Sequence, residues 1–500
     1  MNIALFLEMA AGAAPERIAL VCDDAGETRR FTYAALYEAA RGAATLIRES
    51  GAEYVALLDE SSEAAVLALF GAALAGVPYV PLNYRLADAD LAGLLARITP
   101  CLLVGDVDRV RRLHDNGANT LFQRADFVRA AQAATPIEEA DAGLGVAVQL
   151  FTSGTTGAPK AAILRHANLA SYVIGTVEFG SADEGMGRLV TVPPYHIAGI
   201  AALLTSIYAQ CRIVLLPAFT PEKWLDLVAR EKVTNAFVVP TMLARVVEAI
   251  RGGHEADLSS LTALSYGGGK MPIELIGEAL DLFEQTAFTN AYGLTETSST
   301  IALLGPEDHR AAKASSDPKV RARLASVGRP LPTIELEIRD DEGHVLGPNE
   351  AGEIFVRGEQ VSGEYKERSA LTADGWFPTR DAGYLDDEGY LFLSGRADDV
   401  IVRGGENISP GEIEDVLLAH PAIADACATG IPSLEWGEAV GIAVVPADGH
   451  ECPAHEELCR LVRERLRSSR VPESSLVVET LPYNEMGKLL RREVKTWFAR

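Results

Sequence analysis

Phe151-Thr-Ser-Gly-Thr-Thr-Gly-Ala-Pro-Lys160 carries the residue types needed to hold an anion. Hydroxyls at Thr152, Ser153, Thr155 and Thr156 can donate to oxygen, and Lys160 adds a mobile positive charge. Gly154 and Gly157 let backbone approach a ligand closely. Successive loop N–H groups complete a nest for negative oxygens. The chemistry is a cradle for a polyphosphate. It is not the Walker loop G-x-x-x-x-G-K-S/T, because Pro159 precedes the lysine and Ala161 follows it. Another ATP-using fold is required.

Further strings offer matching chemistry. In Tyr292-Gly-Leu-Thr-Glu-Thr297, Tyr292 presents an aromatic face to a base and Gly293 permits close approach. Thr295 can donate to phosphate, and Glu296 is a hard oxygen ligand suited to Mg²⁺. Gly267, Gly268 and Gly269 remove side-chain bulk where a planar ring could slide past backbone. Asp381 can accept both protons of a ribose diol, and Arg396 is a fixed donor fork able to reach the same sugar. Lys488 follows a glycine turn near the C-terminus. His196 stands among apolar residues. Taken singly, several of these read as ordinary features: a flexible loop, a surface charge, a solvated lysine, a structural histidine.

The intervening segments must position these groups. Tyr54-Val-Ala-Leu-Leu58, the Ala-rich Ser62 to Ala75 and the extended Val77 to Leu82 read as a βαβ unit with a buried parallel sheet. A second such region starts at strand Val146 to Phe151, which feeds the glycine-rich loop. Strands at Arg188 to Val192, Arg212 to Leu216 and Ala236 to Val239 then alternate with helices such as Pro221 to Glu231. Near residue 330 the period becomes two, in Ile334 to Ile338, Gly352 to Arg357 and Tyr390 to Leu393, which predicts a small antiparallel unit. Beyond Gly395 to Asp399 comes a helix with Ser409 as N-cap, Pro410 at its first position and Glu412 closing a capping box. Strands near Ala424 to Gly430 and Glu438 to Val445 follow, then a helix from about Ala454 to Ser468. The expected fold is a large α/β N-terminal domain, residues 1–395, with two α/β layers and a β-rich unit over about 330–395. A hinge at 396–399 leads to a small, mobile α+β C-terminal domain, residues 400–500.

Five hundred residues exceed one ordinary core. A net charge of −25 argues against a nucleic-acid partner, which needs clustered cations. No apolar run approaches the roughly 20 residues of a spanning helix, and the apolar Met1 to Ala14 lacks a basic leader region. The six cysteines form no C-x-x-C pair and read as reduced, buried thiols. The expectation is a cytoplasmic protein without a membrane anchor, monomeric or homodimeric.

In this order and at these separations the strings resemble the adenylate-forming superfamily of acyl- and aryl-CoA synthetases, nonribosomal peptide synthetase adenylation domains and beetle luciferases. The resemblance runs from Phe31-Thr-Tyr33 to Lys488. It implies a two-step reaction: a carboxylic acid displaces pyrophosphate from Mg·ATP to give an acyl-adenylate, and a nucleophile, commonly the thiol of CoA, displaces AMP. It further implies that Thr152, Ser153, Gly154, Thr155, Thr156, Gly157 and Lys160 hold phosphates, and that Thr295 meets phosphate. Glu296 would bind Mg²⁺. Tyr292 and Gly293 would meet adenine, with Gly267, Gly268 and Gly269 lining its pocket. Asp381 and Arg396 would hold the ribose, and His196 would gate the acyl pocket. Lys488 would serve adenylation. The C-terminal domain would then swing about Asp398 and bring Arg403, Gly404 and Gly405 to the site for thioester formation.

The chain departs from the family pattern at Arg380 and Ala161, where glycine is usual, and at Gly269-Lys270, where Ala-Pro is usual. A left-handed residue 380 would strain an arginine. Lys270 is read as lying near the acyl pocket, which would favour a polar or acidic acid. Asn484-Glu-Met-Gly-Lys488 echoes malonyl-CoA synthetases. The acceptor stays open among CoA, an amine and a carrier protein. A luciferase-like oxygenase and a non-catalytic ATP-binding relative are weaker readings.

Overall fold

Aliphatic runs without polar alternation bury both faces of a strand, and such runs form the middle of two large sheets. All five residues of Cys101–Gly105 are buried, as are four of five in Tyr54–Leu58. The computed structural model describes the chain except residues 25–26, 115–116, 139–142, 144, 153–158, 397–398, 404–405, 434–435, 484–488 and 499–500, and the side chains of residues 23, 24, 27, 114, 396, 406 and 407.

Among the described residues one sheet has nine strands, ordered Arg329–Pro330, Ser299–Leu304, Ala287–Leu294, Ala263–Gly267, Asn235–Val238, Gly187–Val190, Arg212–Leu215, Ile18–Asp24 and Glu27–Thr32. Its centre is parallel and its two ends antiparallel. The second sheet has eight: Arg368–Ser369, Glu364–Tyr365, Lys160–Arg165, Val146–Thr152, Tyr79–Pro81, Tyr54–Leu58, Cys101–Gly105 and Thr120–Phe122. One apolar core joins them. It takes Leu20 and Ile213 from the first sheet, Leu57 and Val148 from the second, and Leu36, Phe70 and Leu204 from helices between them. Helix Glu63–Ala75 is buried from Glu63 to Leu74, as befits a helix that is apolar all round.

The β-rich unit is a four-stranded antiparallel sheet of Glu335–Arg339, Gly352–Arg357, Phe377–Leu385 and Leu391–Arg396. One excursion was not foreseen from periodicity. Between its second and third strands the chain leaves this sheet, and Glu364–Tyr365 pairs with the edge of Lys160–Arg165.

The C-terminal unit packs helices Pro410–Leu418 and His455–Arg465 on the hairpin Ile423–Ser433 and Gly437–Pro446, around Ile413, Leu417, Val440 and Leu458. Pro410 does open its helix, but the capping box does not form. Ser409 Oγ donates to the carbonyl of Ser394 instead, and Glu412 accepts from Arg470 Nε at 2.9 Å. The Ser409 hydroxyl is oriented to donate to the neighbouring strand and does not accept from its own helix N–H.

Candidate active site

The ends of the phosphate string belong to two paired strands. Strands Val146–Thr152 and Lys160–Arg165 run antiparallel, so Thr152 faces Lys160. Ser153, Gly154, Thr155, Thr156 and Gly157 lie outside the described residues. Arg97 braces the hairpin's end: it donates to Pro159 O at 2.6 Å and Glu367 Oε1 at 2.8 Å, and its guanidinium lies 4.8 Å from the Phe151 ring centroid. Lys160 Nζ lies 5.7 Å from the centre of the Tyr365 ring.

The second string turns sharply after its strand. The pairing of Ala287–Leu294 with Ser299–Leu304 shifts between Tyr292 and Gly293. A Cβ on Gly293 would stand 1.8 Å from Ser299 O, so only glycine fits this bulge. Thr295–Thr297 forms one tight 3₁₀ turn with Thr295 half-buried, and the chain then passes through two left-handed serines, Ser298 at φ 57° and Ser299 at φ 111°. Such residues cost about 1–3 kcal/mol each and persist where neighbours over-determine them. Here Gln360 does so. Its carbonyl accepts from Ser298 Oγ at 2.8 Å, and its Nε2 donates to the carbonyls of Thr297 and Thr300 at 3.0 and 2.8 Å.

Glu296 in this turn is only 9% exposed. Its Oε1 accepts the Tyr365 hydroxyl at 2.6 Å, and among the described residues its Oε2 has no partner and no cation pairs with the carboxylate. Buried carboxylates are normally paired or bound to a metal. A nearly buried carboxylate with one oxygen unused therefore fits a divalent cation.

Tyr292, buried at the end of its strand, donates its hydroxyl to Asp381 Oδ2 at 2.6 Å. The two residues assigned to base and ribose are thus tied directly. Asp381 faces Arg396 across paired strands; the Arg396 side chain lies outside the described residues. Arg380 takes φ 64°, as a glycine would. Glu353 Oε1 accepts its backbone N–H at 3.2 Å and lies 3.7 Å from its Nε, which helps hold the left-handed turn. Gly267 is needed for strand packing, since a Cβ there would meet Ala291 O at 2.2 Å. Gly268 and Gly269 are exposed in the loop that follows.

Lys270, read from sequence as near the acyl pocket, makes a contact that reading did not include: its Nζ donates to Asp415 Oδ1 at 2.7 Å and Gly411 O at 3.2 Å, on the first helix of the C-terminal unit. The direction a surface lysine takes is set by the facing domain, which local sequence does not encode. Arg403 lies within the C-terminal unit, donating to Ser469 O at 2.8 Å and paired with Glu473. Gly404, Gly405, Asp398 and Lys488 lie outside the described residues.

His196 stands at the N-cap position of helix Ile197–Tyr208 without a side-chain cap, its ring centroid 4.5 Å from that of Tyr195. Its Nε2 is buried, with no hydrogen-bond partner among the described residues. Burial, and secondarily the positive charge of Arg85, lower its pKa to about 4, so the imidazole is neutral at pH 7. It can offer one hydrogen bond to a ligand but no charge. Tyr365, Gln360 and Arg97 escaped sequence reasoning. They belong to no string of unusual composition, and only long-range pairing brings them to the site.

Residues 7–366 match the AMP-binding enzyme family, and residues 412–488 match the AMP-binding enzyme C-terminal domain. A fatty acid–acyl-carrier-protein ligase of Streptomyces coeruleorubidus is 31% identical over 97% of this chain and 94% of its own. The O-succinylbenzoate coenzyme A synthetase of Bacillus subtilis, solved with ATP and magnesium, superposes with a TM-score of 0.84 at 31% identity, covering 98% of this chain and 99% of the other. An amide bond synthetase from Marinactinospora thermotolerans superposes with a TM-score of 0.86 at 28% identity, covering 99% of each chain.

Proposed function

The chain belongs to the AMP-binding enzyme family, and we infer that it is an ATP-dependent carboxylic acid–CoA ligase. It converts an acid to an acyl-adenylate with release of pyrophosphate and then transfers the acyl group to CoA. One observation carries the reading: Tyr365 touches both Lys160, at the foot of the phosphate loop, and Glu296, whose free oxygen fits a metal.

The reaction sets one anion on another, and Coulomb repulsion opposes it. Residues 152–157 and Lys160 hold the phosphate oxygens and spread their charge, and Thr295 adds a hydroxyl. Mg²⁺ held at Glu296 would neutralise phosphate charge. Tyr292 packs against adenine, lined by Gly267 to Gly269. Asp381, with Arg396, accepts the ribose hydroxyls, its Oδ2 already fixed by Tyr292. Lys488 supports attack of the acid on the α-phosphate, and in-line orientation supplies much of the remaining barrier reduction. His196, neutral, shapes the acyl side. Residues 1–395 form the N-terminal domain and 400–500 the lid. The lid turns about Asp398 and presents Arg403, Gly404 and Gly405 for the thiol step. Among the described residues no helix is long and apolar enough to cross a membrane, and the six cysteines are unpaired, which supports a cytoplasmic setting.

Transfer to an amine or a carrier protein is the second reading, supported by the carrier-protein ligase and the amide bond synthetase among the similar proteins. Acid-dependent pyrophosphate exchange over a panel of acids, repeated with CoA, amines and carrier protein, tests both. Exchange with at least one acid and AMP release with CoA are expected. Exchange with no acid would end the proposal, and AMP release only with amines or carriers would move it to the second reading.

A further inference from the structure

Residues 360–366 tie together two parts of the site that lie far apart in sequence. On one side this strap holds the turn bearing Glu296: the N–H groups of Ser362 and Gly363 donate to Glu296 O at 2.8 and 3.2 Å, and Gln360 fixes the two strained serines beyond it. On the other side it holds the strand that begins at Lys160. Tyr365 faces Ala162 and Glu364 faces Ile163 in antiparallel register, Lys366 N–H donates to Ala161 O at 2.9 Å, and Ser362 Oγ donates to Ile163 O. Tyr365 sits at the centre. Its hydroxyl meets the Glu296 carboxylate at 2.6 Å, and its ring face lies 5.7 Å from the Lys160 ammonium.

We propose that Tyr365 is a positioning residue for the metal–nucleotide site. Its hydroxyl occupies Oε1 of Glu296 and so turns Oε2 toward the cation, while its ring steers Lys160 toward the phosphates. The inference rests on the reading of Glu296 as the magnesium ligand. Three features of the structure favour it. The carboxylate is nearly buried, so its orientation is not averaged by solvent. The donor is a neutral hydroxyl, which fixes an oxygen without neutralising the charge a cation needs. The strap itself is pinned on both flanks, so the hydroxyl is held in place beforehand. Partners behind a metal ligand commonly tune affinity by about 10–100-fold.

Tyr365→Phe is the sharp test, because it removes one oxygen and leaves the ring and the strand pairing. Mn²⁺ binding to the full chain in saturating ATP, followed by electron paramagnetic resonance, reads the metal directly, and calorimetry reads AMP binding without metal. The expected result is about a tenfold rise in Mn²⁺ half-saturation with AMP affinity unchanged. In a Glu296→Gln background the same substitution should add nothing, since the hydroxyl acts through that carboxylate. Unchanged Mn²⁺ binding, a parallel loss of AMP affinity, or additive losses in the double variant would each overturn the proposal while leaving Glu296 as ligand. A wild-type chain that binds ATP yet takes up no Mn²⁺ would instead remove Glu296 from the metal role, and the inference with it.

Discussion

The two halves of the site are fastened in opposite ways. On the N-terminal side, Glu296 and the strand that begins at Lys160 are held by hydrogen bonds from one strap, whose Tyr365 ring lies 5.7 Å from the Lys160 ammonium. At the seam with the C-terminal unit, Lys270 and Asp415 pair at 2.7 Å with both side chains more than half exposed. Exposed pairs contribute about 0–1 kcal/mol. The contrast sets a nucleotide side fastened by several hydrogen bonds against an exposed pair that adds little. Under the proposed alternation of the lid, this seam is where release would be expected.

The comparison can be broken in several places. The largest effect is expected from Lys488→Ala. Adenylation from acid and ATP should fall by about 10²–10³-fold, with thioester formation from supplied acyl-adenylate kept within a few-fold. Single-turnover assays of each step decide, and equal losses would contradict a releasable lid. Glu296→Gln comes next. It should weaken metal-dependent turnover by about 10–100-fold yet spare AMP binding, as magnesium titrations would read; an unchanged magnesium dependence would dissolve the contrast.

His196 probes the rigid side through pH. Its folded pKa of about 4 lies below the ordinary 6.5, so the unfolded chain takes the proton first as pH falls. Its contribution is constant above pH 6.5 and is lost between about 6.5 and 4, a drop of about 3 kcal/mol. Denaturant titrations across that window should show a shallower loss for His196→Phe. The smallest effect belongs to Lys270→Ala: a stability change below about 1 kcal/mol and a shift of only a few-fold between the half-reactions. A loss approaching that of Glu296→Gln would show that the seam is as rigid as the strap.

Much of this was legible in residue order. The runs at Tyr54–Leu58 and Gly352–Arg357 gave strands with those bounds, because apolar content and period two act locally. The left-handed Arg380 was readable as a departure, since glycine is usual there. The contact of Lys270 was not legible, because its partner, Asp415, lies on the C-terminal unit. Ser409 lost its capping role to the carbonyl of Ser394. Tyr365 was invisible: one tyrosine between Glu364 and Lys366 has no local signature, and its meaning comes from strand partners some 200 positions earlier.

That separation has a consequence for synthesis. Among the described residues, strand Lys160–Arg165 pairs with Val146–Thr152 on one side and Glu364–Tyr365 on the other. While the ribosome makes the intervening segment, that flank remains an uncovered edge, a ready template for pairing with another chain. A nascent chain halted before residue 364 would therefore carry the half-built nucleotide pocket together with an adhesive border, and its final closure waits for the strap to emerge.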